Sequence, residues 1–133
     1  MSKSNVVRKH IETENKHDME AMLATLVGED PIRDEAYGKL YRGREEVASR
    51  YAELWEAFPD FNVTPTQFIE DETSVAMTAD YSGTSKGKYN ERAPTGKTFK
   101  VRLVVIFQFE GNKIKSETIY FDLASQLTQL GFM

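Results

Sequence analysis

Between Thr98 and Glu110, the residues Phe99, Val101, Leu103, Val105, Phe107 and Phe109 fall on every second position. Period two held over so long a run demands a β-strand that lays one whole face on a core. Val104 and Ile106 make the opposite face partly apolar as well. An antiparallel strand with one wet face alternates more cleanly than this. Either the strand lies buried in the middle of its sheet, or its second face meets another subunit; the second reading is preferred.

The rest of the chain supplies what that strand packs against. Val6, Val7 and Ile11 suggest a first helix, and Asp18 suits the cap of a second that carries Met19, Met22, Leu23 and Leu26. Asp30-Pro31 breaks the pattern, and residues 31 to 42 read as short extended or irregular chain. Gly43 opens the clearest helix, in which Val47, Tyr51, Leu54, Trp55 and Phe58 form one broad apolar face, and Pro59 stops it. Beyond Pro59 the period changes to two. Phe61 and Val63 begin one strand, and Val75, Met77, Ala79 and Tyr81 alternate in a second that ends at Ser82-Gly83. Gly111-Asn112 is a good hairpin turn into a last strand from Lys113 to about Asp122. A short helix from Leu123 to Leu130 closes at Gly131. Helices first and an antiparallel meander second predict an α+β fold, with helices packed on one face of a curved, mostly antiparallel sheet. A chain of 133 residues favours one domain, 1–133.

Composition removes several functional classes. There is no cysteine, hence no disulfide, thiolate nucleophile or Cys-ligated metal. The net charge of −4 and the scattered basic residues argue against nucleic acid as a partner. The first residues lack the apolar core of a signal peptide, and no run is long enough for a membrane span, so the expected location is cytoplasmic.

Two local patterns invite chemistry and fail on context. Gly96-Lys97-Thr98 is the core of a phosphate-binding loop, but the first glycine of that loop would fall at Glu91, and a strand follows where a helix is required. Pro94-Thr95-Gly96 is better read as a turn that feeds the long strand. His10 and His17 lie roughly on one helical face with Glu14 between them. As a metal site that is weak, and a solvated helix face is the expected state; no metal and no cofactor is expected.

The ordered set of short motifs is more specific. Tyr41-Arg42-Gly43-Arg44-Glu45-Glu46-Val47 opens the main helix and Ala57-Phe58-Pro59-Asp60-Phe61 closes it. Gly83-Thr84, Ala93-Pro94-Thr95-Gly96-Lys97, Gly111-Asn112-Lys113-Ile114 and Tyr120-Phe121-Asp122 follow, and then Gln129-Leu130-Gly131. In this order they resemble the SnoaL-like polyketide cyclase and ester cyclase group of the NTF2-like superfamily. The resemblance covers about residues 5 to 131. It implies a cone-shaped α+β barrel with an apolar pocket at the wide end, a small apolar ligand, and a homodimer through the sheet. It also implies that Asp122 is the general acid/base of a cofactor-independent cyclisation or isomerisation. The chain departs from that group at Ser85, where a histidine is frequent, at Thr118, where tryptophan is frequent, and at Ser116, where glutamate is frequent.

The residues themselves leave roles open. By alternation Lys113, Lys115 and Glu117 share a wet face of the last strand, while Ile114, Ser116, Thr118, Tyr120 and Asp122 face the cavity. Tyr81 and Tyr120 are candidate hydroxyl donors to an enolate, or ordinary core tyrosines. Arg102 is a candidate cation, or one half of a surface ion pair. Trp55 and Phe58 belong to the core and are also candidate pocket wall. Asp122 is a base in the cavity, the N-cap of the last helix, or both. Two functions stand at this point: acid/base catalysis on a small carbonyl compound, and ligand binding without chemistry.

Overall fold

In the computed structural model, residues 2–27 and 32–133 are described. Asp30-Pro31 lies outside them. Helix α1 (Lys3–Asn15) starts where the Ser2 side chain accepts from the Asn5 N–H. Helix α2 (Met19–Ala24) starts at Asp18, which accepts from the Ala21 N–H; each cap satisfies an otherwise orphaned donor. The stretch expected to be short extended or irregular chain contains a small hairpin, β1 (Ile32–Asp34) and β2 (Lys39–Tyr41). Helix α3 (Gly43–Ala57) follows, then β3 (Asn62–Glu70), β4 (Ser74–Thr84), β5 (Thr98–Glu110), β6 (Lys113–Phe121) and helix α4 (Leu123–Leu130).

The strands form one sheet in the order β2-β1-β6-β5-β4-β3, antiparallel throughout except where β1 runs parallel to β6. Strand β5 sits inside this sheet and buries Phe99, Val101, Leu103, Val105, Phe107 and Phe109, as its alternation requires. Its other face is more open, with Val104 37% exposed. Two register shifts curve the sheet. One follows Pro65 on β3, and the other leaves Lys115 as an extra residue on β6. Such bulges bend a strand and increase its twist, so the sheet wraps around α1 and α3.

In place of the expected turn, Pro94-Thr95-Gly96 is irregular chain lying beside Ser85, whose carbonyl accepts from the Gly96 N–H at 2.9 Å, with Gly96 at φ +76°. That left-handed backbone suits glycine. Gly83 serves packing instead: a Cβ there would come within 2.9 Å of the Phe58 Cβ. Phe58 therefore fits against β4, with Phe99 at 5.0 Å and Tyr89 at 4.8 Å between ring centroids.

Candidate functional site

The open end of the cone holds a bowl of about 560 Å³. Below it lies a smaller inner chamber of about 40 Å³ with largely apolar walls. Asp34, Arg50, Leu54 and Tyr89 line both, so they form the neck between them.

The neck carries one buried ion pair. Arg50 rises from the buried stripe of α3, one residue before Tyr51, and its Nη2 stands 3.6 Å from the Oδ2 of Asp34 on β1. At that separation the contact is an ion pair without a hydrogen bond. The guanidinium lies over the rings of Tyr41 and Tyr51, 5.6 and 5.0 Å from their centroids. Burial disfavours its charge, but Tyr51 and Asp34 outweigh that penalty and raise its pKa above the ordinary arginine value. Asp34 Oδ1 accepts from the Tyr37 N–H at 3.1 Å. Tyr81, from the inward face of β4, lines the chamber beside this pair. Burial pushes its phenol well up, so it stays a neutral donor. Tyr37 donates to the Tyr89 hydroxyl at 2.8 Å, which donates to Gln126 Oε1 at 3.1 Å and ties the rim to α4.

A second polar cluster lies deeper. His10, Glu14 and Glu117 are all buried, and His10 Nε2 is 2.6 Å from Glu14 Oε2 and 3.5 Å from Glu117 Oε1. His10 Nδ1 is 2.7 Å from Thr25 Oγ1, whose own hydrogen goes to the Met22 carbonyl at 2.7 Å. The threonine therefore accepts from the ring, and Nδ1 carries a hydrogen. Burial opposes the imidazolium, yet Glu117 and Glu14 overcome it and push its pKa up to about 10.

These placements correct the expected site. His10 and Glu14 are not a solvated face: Val7, His10, Ile11 and Glu14 form the buried stripe of α1. His17 stands apart, stacked on Trp55 at 4.9 Å. The expected parity of β6 holds only as far as Ile114. Because Lys115 is an extra residue, Glu117, Ile119 and Phe121 turn inward, opposite Phe107, Val105 and Leu103. Thr118 and Tyr120 point outward, with Tyr120 48% exposed. The inward carboxylate of the strand is Glu117, and position 116 is not on the cavity wall.

Asp122 is exposed, and its Oδ1 caps α4 by accepting from the Ser125 N–H at 3.0 Å; it lines neither the bowl nor the chamber. Arg102 is on the outer face and pairs with Asp80 at 3.4 Å. Trp55 and Phe58 pack beside the cavity without lining it, so Tyr81 alone of the expected pocket residues reaches the wall. Ser85 is buried in the loop after β4, where its Oγ accepts from the Thr95 N–H at 3.0 Å.

The charged residues of the inner chamber are Asp34 and Arg50, which spacing had not nominated, and Glu14 and Glu117, which it had assigned to solvent together with His10 beside them. A signal for three of them was present. Arg50 lies at i+3 from Val47 and i−4 from Leu54, and His10 and Glu14 at i+3 and i+7 from Val7. Each is a polar residue inside an apolar helical stripe.

Comparison with known proteins places this geometry among relatives. The model of the SnoaL-like polyketide cyclase family matches residues 4–130. A candidate SnoaL-like polyketide cyclase from Jannaschia sp. CCS1 is 18% identical, with a TM-score of 0.88 over 96% of this chain and 90% of that one. IdmH, a candidate polyketide cyclase from Streptomyces antibioticus, is 20% identical, with a TM-score of 0.85 over 98% and 99%. A protein of ketosteroid isomerase-like fold from Catenulispora acidiphila, solved in complex with trimethylamine, is 24% identical, with a TM-score of 0.83 over 96% and 93%. No curated protein matches the sequence significantly.

Proposed function

The chain belongs to the SnoaL-like polyketide cyclase family, and from that premise we propose that it carries out cofactor-independent acid–base chemistry on a small, mostly apolar carbonyl compound held in the cone. One observation carries this reading: a carboxylate, a guanidinium and a neutral phenol, those of Asp34, Arg50 and Tyr81, meet at the inner chamber of the cavity. Asp34 is the base. It removes a proton from the carbon next to the ligand carbonyl, and negative charge moves to the carbonyl oxygen. Arg50 and the Tyr81 hydroxyl stabilise that enolate oxygen, in a site whose apolar walls strengthen electrostatic contacts. The enolate carbon then attacks a second carbonyl of the same ligand, whose oxygen takes the proton from Asp34, giving cyclisation, or the enolate takes that proton back at another carbon, giving isomerisation. Asp34 is preferred to Glu117 because it fronts both the bowl and the chamber, whereas Glu117 is engaged with His10.

The test needs no knowledge of the natural substrate. Exchange of α-protons for deuterium is followed by NMR for small cyclic ketones and β-diketones in D₂O. The protein should accelerate exchange, and Asp34→Asn should remove about 10²–10⁴ of that acceleration. Unchanged exchange in Asp34→Asn would sink the assignment.

Binding without chemistry is favoured by one feature. Ser85 is committed to its loop through the Thr95 N–H and supplies no proton partner. On that reading the same ketones quench protein fluorescence with no exchange in any variant.

A further inference from the structure

Beyond the acid–base reading at the neck, we propose that His10, Glu14 and Glu117 form a binding site for one divalent first-row transition-metal ion below it. One ligand atom from each of these side chains lies within 4.8 Å of the others. All three residues are buried, with His10 at 0% and Glu117 at 2% exposure.

The internal geometry is poor for a simple ion cluster. Glu14 Oε2 comes within 2.6 Å of His10 Nε2, yet the nitrogen makes no aligned hydrogen bond. The carboxylate oxygen therefore lies to one side of the ring N–H direction. A hydrogen bond is weak at that angle, and a cation between the two atoms would hold them roughly 3 Å apart, as metal bonds of about 2.0–2.2 Å require. Glu117 Oε2 is also buried without a partner among the described residues. An unsatisfied buried carboxylate oxygen is costly, and a cation is what would satisfy it.

The ring is held as a ligand would be. Nδ1 donates to Thr25 Oγ1, itself anchored to the Met22 carbonyl, which fixes the ring and leaves Nε2 for a metal. Formal charge fits a dication as well. A dication beside a neutral imidazole balances both carboxylates. One nitrogen and two carboxylate donors suit ions from Mn²⁺ to Zn²⁺ rather than Ca²⁺, which takes oxygen ligands. Glu14 and Glu117 also line the inner chamber, so an ion between them borders that chamber.

The experiment uses the full chain stripped with a chelator. Zn²⁺ is titrated by calorimetry in two buffers of different ionisation enthalpy, and Co²⁺ by visible absorption. The expected result is one ion per chain. Thr25→Val should weaken binding by about 10–100-fold, Glu117→Gln by at least as much, and His17→Gln should leave it unchanged. Absence of stoichiometric binding, or binding that survives Glu117→Gln, overturns the site. Should Glu117→Gln fail to fold, Mn²⁺ broadening of the wild-type NMR spectrum decides. Broadening centred on the amides of His10, Glu14 and Glu117 supports the site, and broadening confined to surface carboxylates refutes it. Asp34→Asn should bind Zn²⁺ normally, so failure of the neck chemistry and failure of the metal site are separate results.

Discussion

Replacing Asp122 separates a helix cap from a catalytic base. Its Oδ1 accepts the Ser125 N–H at 3.0 Å at the start of an eight-residue helix. Removing the acceptor in Asp122→Ala should cost about 1 kcal/mol, within the range of ~0.5–2 for such caps, which lowers Tm by roughly 2–8 °C. Asparagine caps a helix about as well as aspartate. Asp122→Asn therefore loses only the interaction of a charge with the helix N-terminus, about 0.3–1 kcal/mol at low ionic strength and less in salt. The expected order of stability is Asp, then Asn, then Ala, measured by circular dichroism melts in low and high salt. α-Proton exchange should be the same in all three proteins, because the side chain is exposed and lines neither part of the cavity. If Asp122→Asn melts like the wild type but loses exchange, the chemistry depends on position 122, and the inference from burial to the neck residues is refuted.

Three other perturbations follow from the same structure. Asn90 and Glu91 both hold positive φ, at 46° and 68°, in the tight turn between Tyr89 and Arg92; Glu91→Gly should relieve left-handed strain and stabilise by about 1 kcal/mol, read from the denaturant midpoint. Asp60 is slightly desolvated, but bonds from the Thr84 hydroxyl and N–H outweigh this and hold its carboxyl below the ordinary range. Its contribution should be complete above about pH 3.9, the ordinary aspartate value, and fade as pH falls through its lower folded pKa; Asp60→Ala should flatten that limb of an acid titration, and an unchanged limb would contradict it. The outer face around Val104 and Tyr120 is expected to pair with a second copy of the chain. Sedimentation velocity should find a dimer that Val104→Glu splits with little change in Tm, and a wild-type monomer at high concentration would end that expectation.

The sequence speaks clearly where one physical rule acts alone. Strand β5 carries an unbroken period, and Asp18 and Gly131 each sit at a helix end that their chemistry suits. The site was less legible because it breaks those rules. Arg50, His10 and Glu14 are polar residues in apolar stripes, tolerable only once Asp34 and Glu117 arrive from β1 and β6. Those strands are remote in sequence, so nothing local announces the pairing. Asp34 lies in a three-residue strand too short to show a period. Glu117 was hidden by the extra residue at Lys115, since a change of phase within a strand leaves no trace in its composition.

That bulge makes the cavity's chemistry depend on the phase of one strand. Were Lys115 paired in the ladder like its neighbours, the alternation that places Ile114 inward would run on to Ser116, Thr118 and Tyr120, and Glu117 would turn to solvent. The bulge alone thus decides between a carboxylate-lined wall and one of hydroxyls and a phenol, with the sequence unchanged, whereas deleting Lys115 would leave Glu117 inward. A cone built this way can change what it accepts through a reading of odd and even, before any of its wall residues is substituted.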